Sequence, residues 1–331
     1  MRQNLRRQIL LAAGALIFAR LAGAQTQASE RAVVGVLSMG LGGRSDGLAA
    51  RELPRLLAEL GWVEGRNLTL EERYGAGKLE LLPRLANELV QTAPSVIIAW
   101  GGSVEAEPLK RLTTTIPIVM ANGIDPVGTG LVQSLARPGG NITGVMWAEP
   151  GLFAKFAEFV KEILSRARRV AILDQPGQSG LEVYLAAFDA AARSKGIEVT
   201  RVGVRRREDI APALETMRSM GVDAFVVTGS PILFAESKQI VDFAIKGKLP
   251  SLFVHPNPVD QGGLLSYSPD YSEAGRRVAS MVDKILKGAK PADIPFEHPT
   301  RYHLAVNLKT AKAIGITVPQ SVLLRADRVI E

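Results

Sequence analysis

The hydrophobic positions fall into two alternating kinds of run. Short continuous apolar stretches, such as AVVGVLS (32–38), SVIIAWG (95–101) and AFVVTGS (224–230), read as strands buried on both faces. Between them lie longer stretches with apolar residues at helical spacing. After Asp209 the pattern Ile210, Leu214, Met217 predicts a helix that starts near Asp209 and stops at Gly221. Strand–helix alternation of this kind implies parallel sheets covered by helices on both faces.

The alternation is written twice. The first copy runs from AVVGVLS through NLTLEER and SVIIAWG to IPIVMANG; the second runs from RVAILDQ through AFVVTGS to LPSLFVHP. Val33 corresponds to Val170 and Pro117 to Pro250, with a nearly constant offset. Two such copies predict two lobes that close on something between them. From Gly262 the repetition stops: LLSYSP reads as a strand, 273–286 as a helix, 291–303 as a Pro-interrupted linker, then a strand at 304–306 and a helix from Leu308.

The stretch 116–147 links the copies and carries the clearest candidate chemistry. A strand over 118–120 leads through Asn122 and Gly123 to Asp125-Pro126. The residue before proline avoids the helical region, and proline suits a first helical position. The spacing therefore predicts Asp125 as the N-cap of a short helix, with a carboxylate just past a strand end, where open α/β sheets bind ligands. Either role, or both, fits that position.

Composition narrows the classes. The 331 residues carry a formal charge of +7, of which the four arginines of residues 1–24, with no acid among them, account for four, leaving +3. That is no nucleic-acid footprint, and the basic run Arg205-Arg206-Arg207 is followed at once by Glu208 and Asp209. Arg2, Arg6 and Arg7, an apolar run from Ile9 to Phe18, and Ala22-Gly23-Ala24 form a signal peptide over 1–24. The route is the general or the twin-arginine one. With no cysteine, lipidation at the cleavage site, disulfides and thiol chemistry drop out. The expected mature protein is released into the periplasm.

These features, with ELGWVEGRNLTLEERYG (59–75) and the C-terminal 295–331, resemble the ABC-transporter substrate-binding proteins of the type I periplasmic class, in the branch with tryptophan- and tyrosine-binding members. The resemblance implies two Rossmann-like α/β lobes with parallel sheets, joined by three hinge strands. Lobe 1 is expected over 31–146 plus about 265–290, and lobe 2 over 147–264 plus about 291–331. It also implies a monomer that binds a small-molecule solute, presents it to an ABC permease in the inner membrane and needs no cofactor. A ligand sensor of the same fold and a two-lobed enzyme are the alternatives. A repressor would need a DNA-reading segment where the signal peptide stands.

The expected ligand-binding residues lie at strand ends and crossings. Ser38 and Met39 end the first strand; the following loop 40–45 lacks the third glycine of a dinucleotide fingerprint. Gly102 and Ser103 open a helix whose amides suit an anion, or Ser103 is a plain N-cap, while Glu105 and Glu107 oppose an anion there. Asn122 and Asp125 follow, then Trp147, a core ring or a stacking one. In the second copy the family's amino-acid binders carry an Asp-Asn pair where this chain reads Thr228-Gly229-Ser230. Ser230, His255, Asn257 and Tyr267 complete the set. The missing acid predicts a planar, aromatic, weakly charged solute over a free amino acid. No nucleophile elbow and no metal-spaced histidines are present, since His255, His298 and His303 stand apart.

Overall fold

The computed structural model describes residues 31–40 and 48–331. The signal peptide and most of the loop 40–45 lie outside the described residues. The first half consists of β1 (Ala32–Ser38), α1 (Leu48–Glu59), β2 (Leu68–Tyr74), α2 (Leu82–Gln91), β3 (Val96–Ala99), α3 (Ser103–Leu112), β4 (Ile118–Gly123) and β5 (Ile142–Met146). The second half begins with α4 (Gly151–Ile163), β6 (Arg169–Asp174), α5 (Leu181–Ser194), β7 (Glu198–Gly203), α6 (Ile210–Met220) and β8 (Ala224–Val227). It continues with α7 (Pro231–Ala235), α8 (Ser237–Lys246), β9 (Ser251–Phe253), α9 (Asn257–Asp260) and β10 (Leu265–Pro269). The tail holds α10 (Tyr271–Leu286), β11 (Tyr302–Asn307), α11 (Leu308–Ile314), α12 (Gln320–Leu323) and β12 (Arg328–Ile330).

The repeat in the sequence becomes two sheets of one plan. The first runs β2-β1-β3-β4-β5, all parallel. The second holds β7-β6-β8-β9-β10 in the same parallel order and adds β11, antiparallel to β10, and β12. Each sheet is packed on both faces. One face of the first meets α1 and α10 through Leu57, Val278 and Val282, and the other meets α2 and α3 through Leu89 and Leu109. In the second, Phe153, Phe156 and Phe188 cover one face, and Ile210, Met217 and Ile240 the other. In both sheets the strand order reverses between the first and third strands of the unit, which opens a crevice at their C-terminal ends.

The tail departs from the expected division of the lobes in two places. β10 lies in the second sheet rather than in the first lobe. Residues 294–297, expected in the second lobe, run along β5: Thr143 Oγ1 donates to the Ile294 carbonyl at 2.7 Å, and the amides of Met146 and Glu297 bond the carbonyls of Glu297 and Gly144. The edge strand β5 offers unpaired backbone groups, and this segment satisfies them. Only α10 returns wholly to the first lobe. The chain thus crosses three times: after Met146, at Asp270, and between Glu297 and Tyr302.

The crossings are tied together. Glu273, in the first turn of α10, accepts from the amides of Thr300 and Arg301 at 3.2 and 3.1 Å and from Arg277 at 2.8 Å. Burial alone would raise its pKa; the Thr300 and Arg277 hydrogen bonds outweigh burial and hold it down at about 2.

The expected helix after Asp125 is absent. Residues 125–136 form turns, and Asp125 adopts a left-handed backbone, φ 43°. Its Oδ1 accepts from the Gly128 amide at 3.0 Å, and its carbonyl accepts from the Thr129 amide at 3.0 Å. Pro126 excludes a right-handed Asp125, and Gly128 and Gly130 weaken any helix beyond it, so the side chain caps a turn instead.

Candidate functional site

The strand ends of both lobes converge on one cavity of about 1010 Å³. The first lobe contributes Ser38 and Met39 from the end of β1, Trp100 and Gly101 after β3, Glu105 on α3, and Asn122 on β4. The second contributes residues 175–179 after β6, Thr228, Gly229 and Ser230 after β8, and His255 and Asn257 after β9. Trp147 from the first crossing and Tyr271 beyond the second also line it. The lobes come close at its rim: a Cβ on Gly180, before α5, would stand 2.5 Å from the Ile124 carbonyl oxygen after β4.

Of the expected site residues, Ser38, Met39, Asn122, Trp147, Ser230, His255 and Asn257 line this cavity. Several are already engaged by the protein. Ser38 Oγ accepts from the Gly40 amide at 3.1 Å, Asn122 Nδ2 donates to the Trp100 carbonyl at 2.8 Å, and Ser230 Oγ caps α7 through the Leu233 amide at 3.2 Å. Trp147 Nε1 donates to the Tyr271 hydroxyl at 3.3 Å, while its ring packs on Tyr184 and Phe153. The Trp147 ring is thus held in place on the cleft wall.

His255 packs edge-on to Phe234, with ring centroids 4.8 Å apart, and tilted against Tyr271 at 4.9 Å. Burial lowers its pKa to about 4, so the imidazole is neutral. Nδ1 accepts from the Asn257 amide at 3.4 Å, which leaves the proton on Nε2. Burial likewise pushes the Tyr271 phenol up to about 12, against the lowering by the Trp147 hydrogen bond.

Gly102, Ser103, Asp125 and Tyr267 do not line the cavity. Gly102, not Ser103, is the N-cap of α3, at φ 89°, and a Cβ there would fall 1.8 Å from the Asn122 carbonyl oxygen. Ser103 is buried, and its hydroxyl donates to the Ile124 carbonyl at 2.7 Å. Asp125 belongs to the turn described above. Tyr267 packs among Phe156, Phe159 and Tyr302 in the second lobe's core.

Among the lining residues that the sequence reading did not name as site residues are Trp100, Glu105, Gln178 and Tyr271. Glu105 is the most consequential. It is 1% exposed, and its Oε1 accepts from the Met39 amide at 3.0 Å. Gly101 makes room for the carboxylate, since a Cβ there would stand 2.2 Å from Oε1. Burial is the dominant influence and raises its pKa from 4.5 to about 7, against the pull of the Met39, Glu105 and Gly101 amides. An acid in a first helical turn reads from sequence as a solvated dipole partner. The paired glycines before it were the one hint that this acid turns inward.

Two α/β lobes of matching topology, with a ligand-sized cleft at their strand ends, define a substrate-binding protein of the type I periplasmic-binding fold. The chain belongs to the ABC transporter substrate binding protein family, whose profile matches residues 49–330. A tyrosine-binding protein of Clostridioides difficile (strain R20291) is 22% identical over 262 residues, 79% of this chain and 75% of the relative. Among solved structures, an ABC domain from Streptococcus pneumonia in complex with L-Trp is 27% identical with a TM-score of 0.82, over 91% of this chain and 100% of that one. A conserved domain protein of Vibrio cholerae is 25% identical with a TM-score of 0.83, over 90% and 99% of the two chains.

Proposed function

We propose that this protein is the exported, periplasmic solute-binding component of an ABC importer. It takes an aromatic or otherwise planar solute between its lobes and presents the closed form, as a monomer, to a permease in the inner membrane. The observation that carries the reading is the lining of the cleft. Trp100, Trp147, Tyr271 and Phe234 supply ring surface from both lobes and the crossings, and the imidazole of His255 is neutral. The function is binding with domain closure, without chemistry.

The lining argues against a free α-amino acid. The second lobe presents Thr228, Gly229 and Ser230 where the family's amino-acid binders carry an acid. Its one lining carboxylate, Asp260, is ion-paired with Arg328. Arg328 is also the only lysine or arginine among the described lining residues, so no unpaired cationic side chain there receives a solute carboxylate. Glu107, and Glu105 in its ionised form, add negative charge where α3 begins. The solute expected is therefore a ring compound without a carboxylate. The Clostridioides difficile relative is named for tyrosine and the Streptococcus structure holds L-Trp, both ring-bearing ligands.

Calorimetry against tryptophan, tyrosine, leucine, tryptamine and indole-3-propionate tests the reading. Ring compounds should bind and leucine should not. Tight binding of leucine, or of tryptophan well above tryptamine, would overturn it. Native mass spectrometry of the protein purified from periplasm should show a co-purified solute of low mass.

A further inference from the structure

Six buried side-chain atoms among the described residues lack a hydrogen-bond partner, and Oε2 of Glu105 is one of them. The carboxyl lies at the cleft wall between Met39 and Gly101, with the Met39 amide donating to its other oxygen at 3.0 Å. Neither protonation state is satisfied by the described residues alone. Among the described lining residues an ionised carboxylate has no counter-ion, because Arg328 pairs with Asp260 and no other lysine or arginine is present there. Oε2, the oxygen that would carry the proton, has no hydrogen-bond partner among the described residues. A buried polar group left in this condition is destabilising, and a solute in the cleft can supply the partner it lacks.

The position is built rather than accidental. Gly101 has an ordinary backbone, with no positive φ, so its lack of a side chain serves space and not conformation. The space is filled by the Glu105 carboxylate. The aromatic rings of the cleft and this carboxylate share one cavity.

We propose that Glu105 is a specificity-determining residue that receives a positively charged nitrogen on the solute, so that the cleft selects an aromatic amine over its neutral and anionic analogues. This inference rests on the aromatic-solute reading and sharpens it. A protonated amine brings both the missing counter-ion and the missing donor. The ring attached to it lies along Trp100 and Trp147. Because burial raises the Glu105 pKa, the incoming cation displaces a proton near neutral pH. No proton is released well above pH 7, where the carboxyl is already ionised.

The test uses tryptamine and indole-3-propionate, which share a ring and differ in the charge at the end of the chain. At pH 8 tryptamine should bind at least about tenfold more tightly, the scale of a hydrogen bond to a charged group. Glu105→Gln, which keeps an acceptor for the Met39 amide, should bring the two within about threefold. On the wild type, calorimetry at pH 6 in buffers of different ionisation enthalpy should show proton release on tryptamine binding, falling away by pH 9. The wild-type proton measurement stands even where the variant fails to fold. Equal or tighter binding of indole-3-propionate, an unchanged preference in the variant, or no proton release would each overturn the assignment while leaving the aromatic reading intact. Failure of both probes, and of tryptophan and tyrosine, would overturn the aromatic reading and this inference with it.

Discussion

Replacing Glu105 with glutamine should change how the stability of the protein responds to pH. The carboxyl is nearly inaccessible, so little solvent screening reduces the effect. Its pKa rises from 4.5 to about 7 on folding, so the folded state holds the proton more tightly than the unfolded one. The contribution is therefore fully present below pH 4.5 and lost as pH rises through about 7. At 1.36 kcal/mol per pH unit, a shift of this size amounts to about 3 kcal/mol. The wild type alone does not reveal it. His255 shifts the other way, from 6.5 to about 4, and stabilises the fold as pH rises over nearly the same interval. The quantity to measure is the difference between wild type and Glu105→Gln in guanidinium unfolding, followed by tryptophan fluorescence from pH 4.5 to 8. That difference should move against the wild type by about 3 kcal/mol as pH rises. A difference constant to within about 0.5 kcal/mol would refute the claim that a buried, unpaired carboxylate lines the cleft.

His255→Gln should give the mirror image: the wild type gains on the variant by roughly 2 kcal/mol from pH 4 to 6.5, read by the same unfolding series, the smaller size reflecting the partial exposure of the ring. Asp125→Ala should lower stability by about 1 kcal/mol through loss of the turn cap, with solute affinity unchanged in calorimetry. Gly180→Ala places a methyl against the Ile124 carbonyl across the cleft rim, so small-angle scattering should show a larger radius and solute binding should weaken.

Much of the architecture follows from the sequence alone. Short, β-branched apolar runs such as 96–99 and 224–227 read as strands buried on both faces, and the helical spacing between them fits parallel crossovers. The duplication then yields two sheets of one topology, and topology puts strand ends at the cleft. Ser38, Met39, Ser230 and His255 were legible for that reason. What the sequence could not decide depends on contacts between residues far apart. Whether β10 joins the first or second sheet rests on its pairing with β9 and β11, and the fate of 294–297 rests on the open edge of β5. Tyr267 and Tyr271 are four residues apart and equally plausible as cleft rings. Tyr267 stands on β10 and turns into the layer of Phe156 and Phe159, while Tyr271 starts α10 and reaches the cleft. Glu105 shows the limit most sharply: a first-turn acid has the same local pattern whether it faces water or the cleft. Its inward turn requires an amide at Met39, 66 residues earlier, and the absence of a Cβ at Gly101. Local periodicity reports which face of an element is apolar; only packing decides which polar group is buried on that face, because burial is a property of the neighbours.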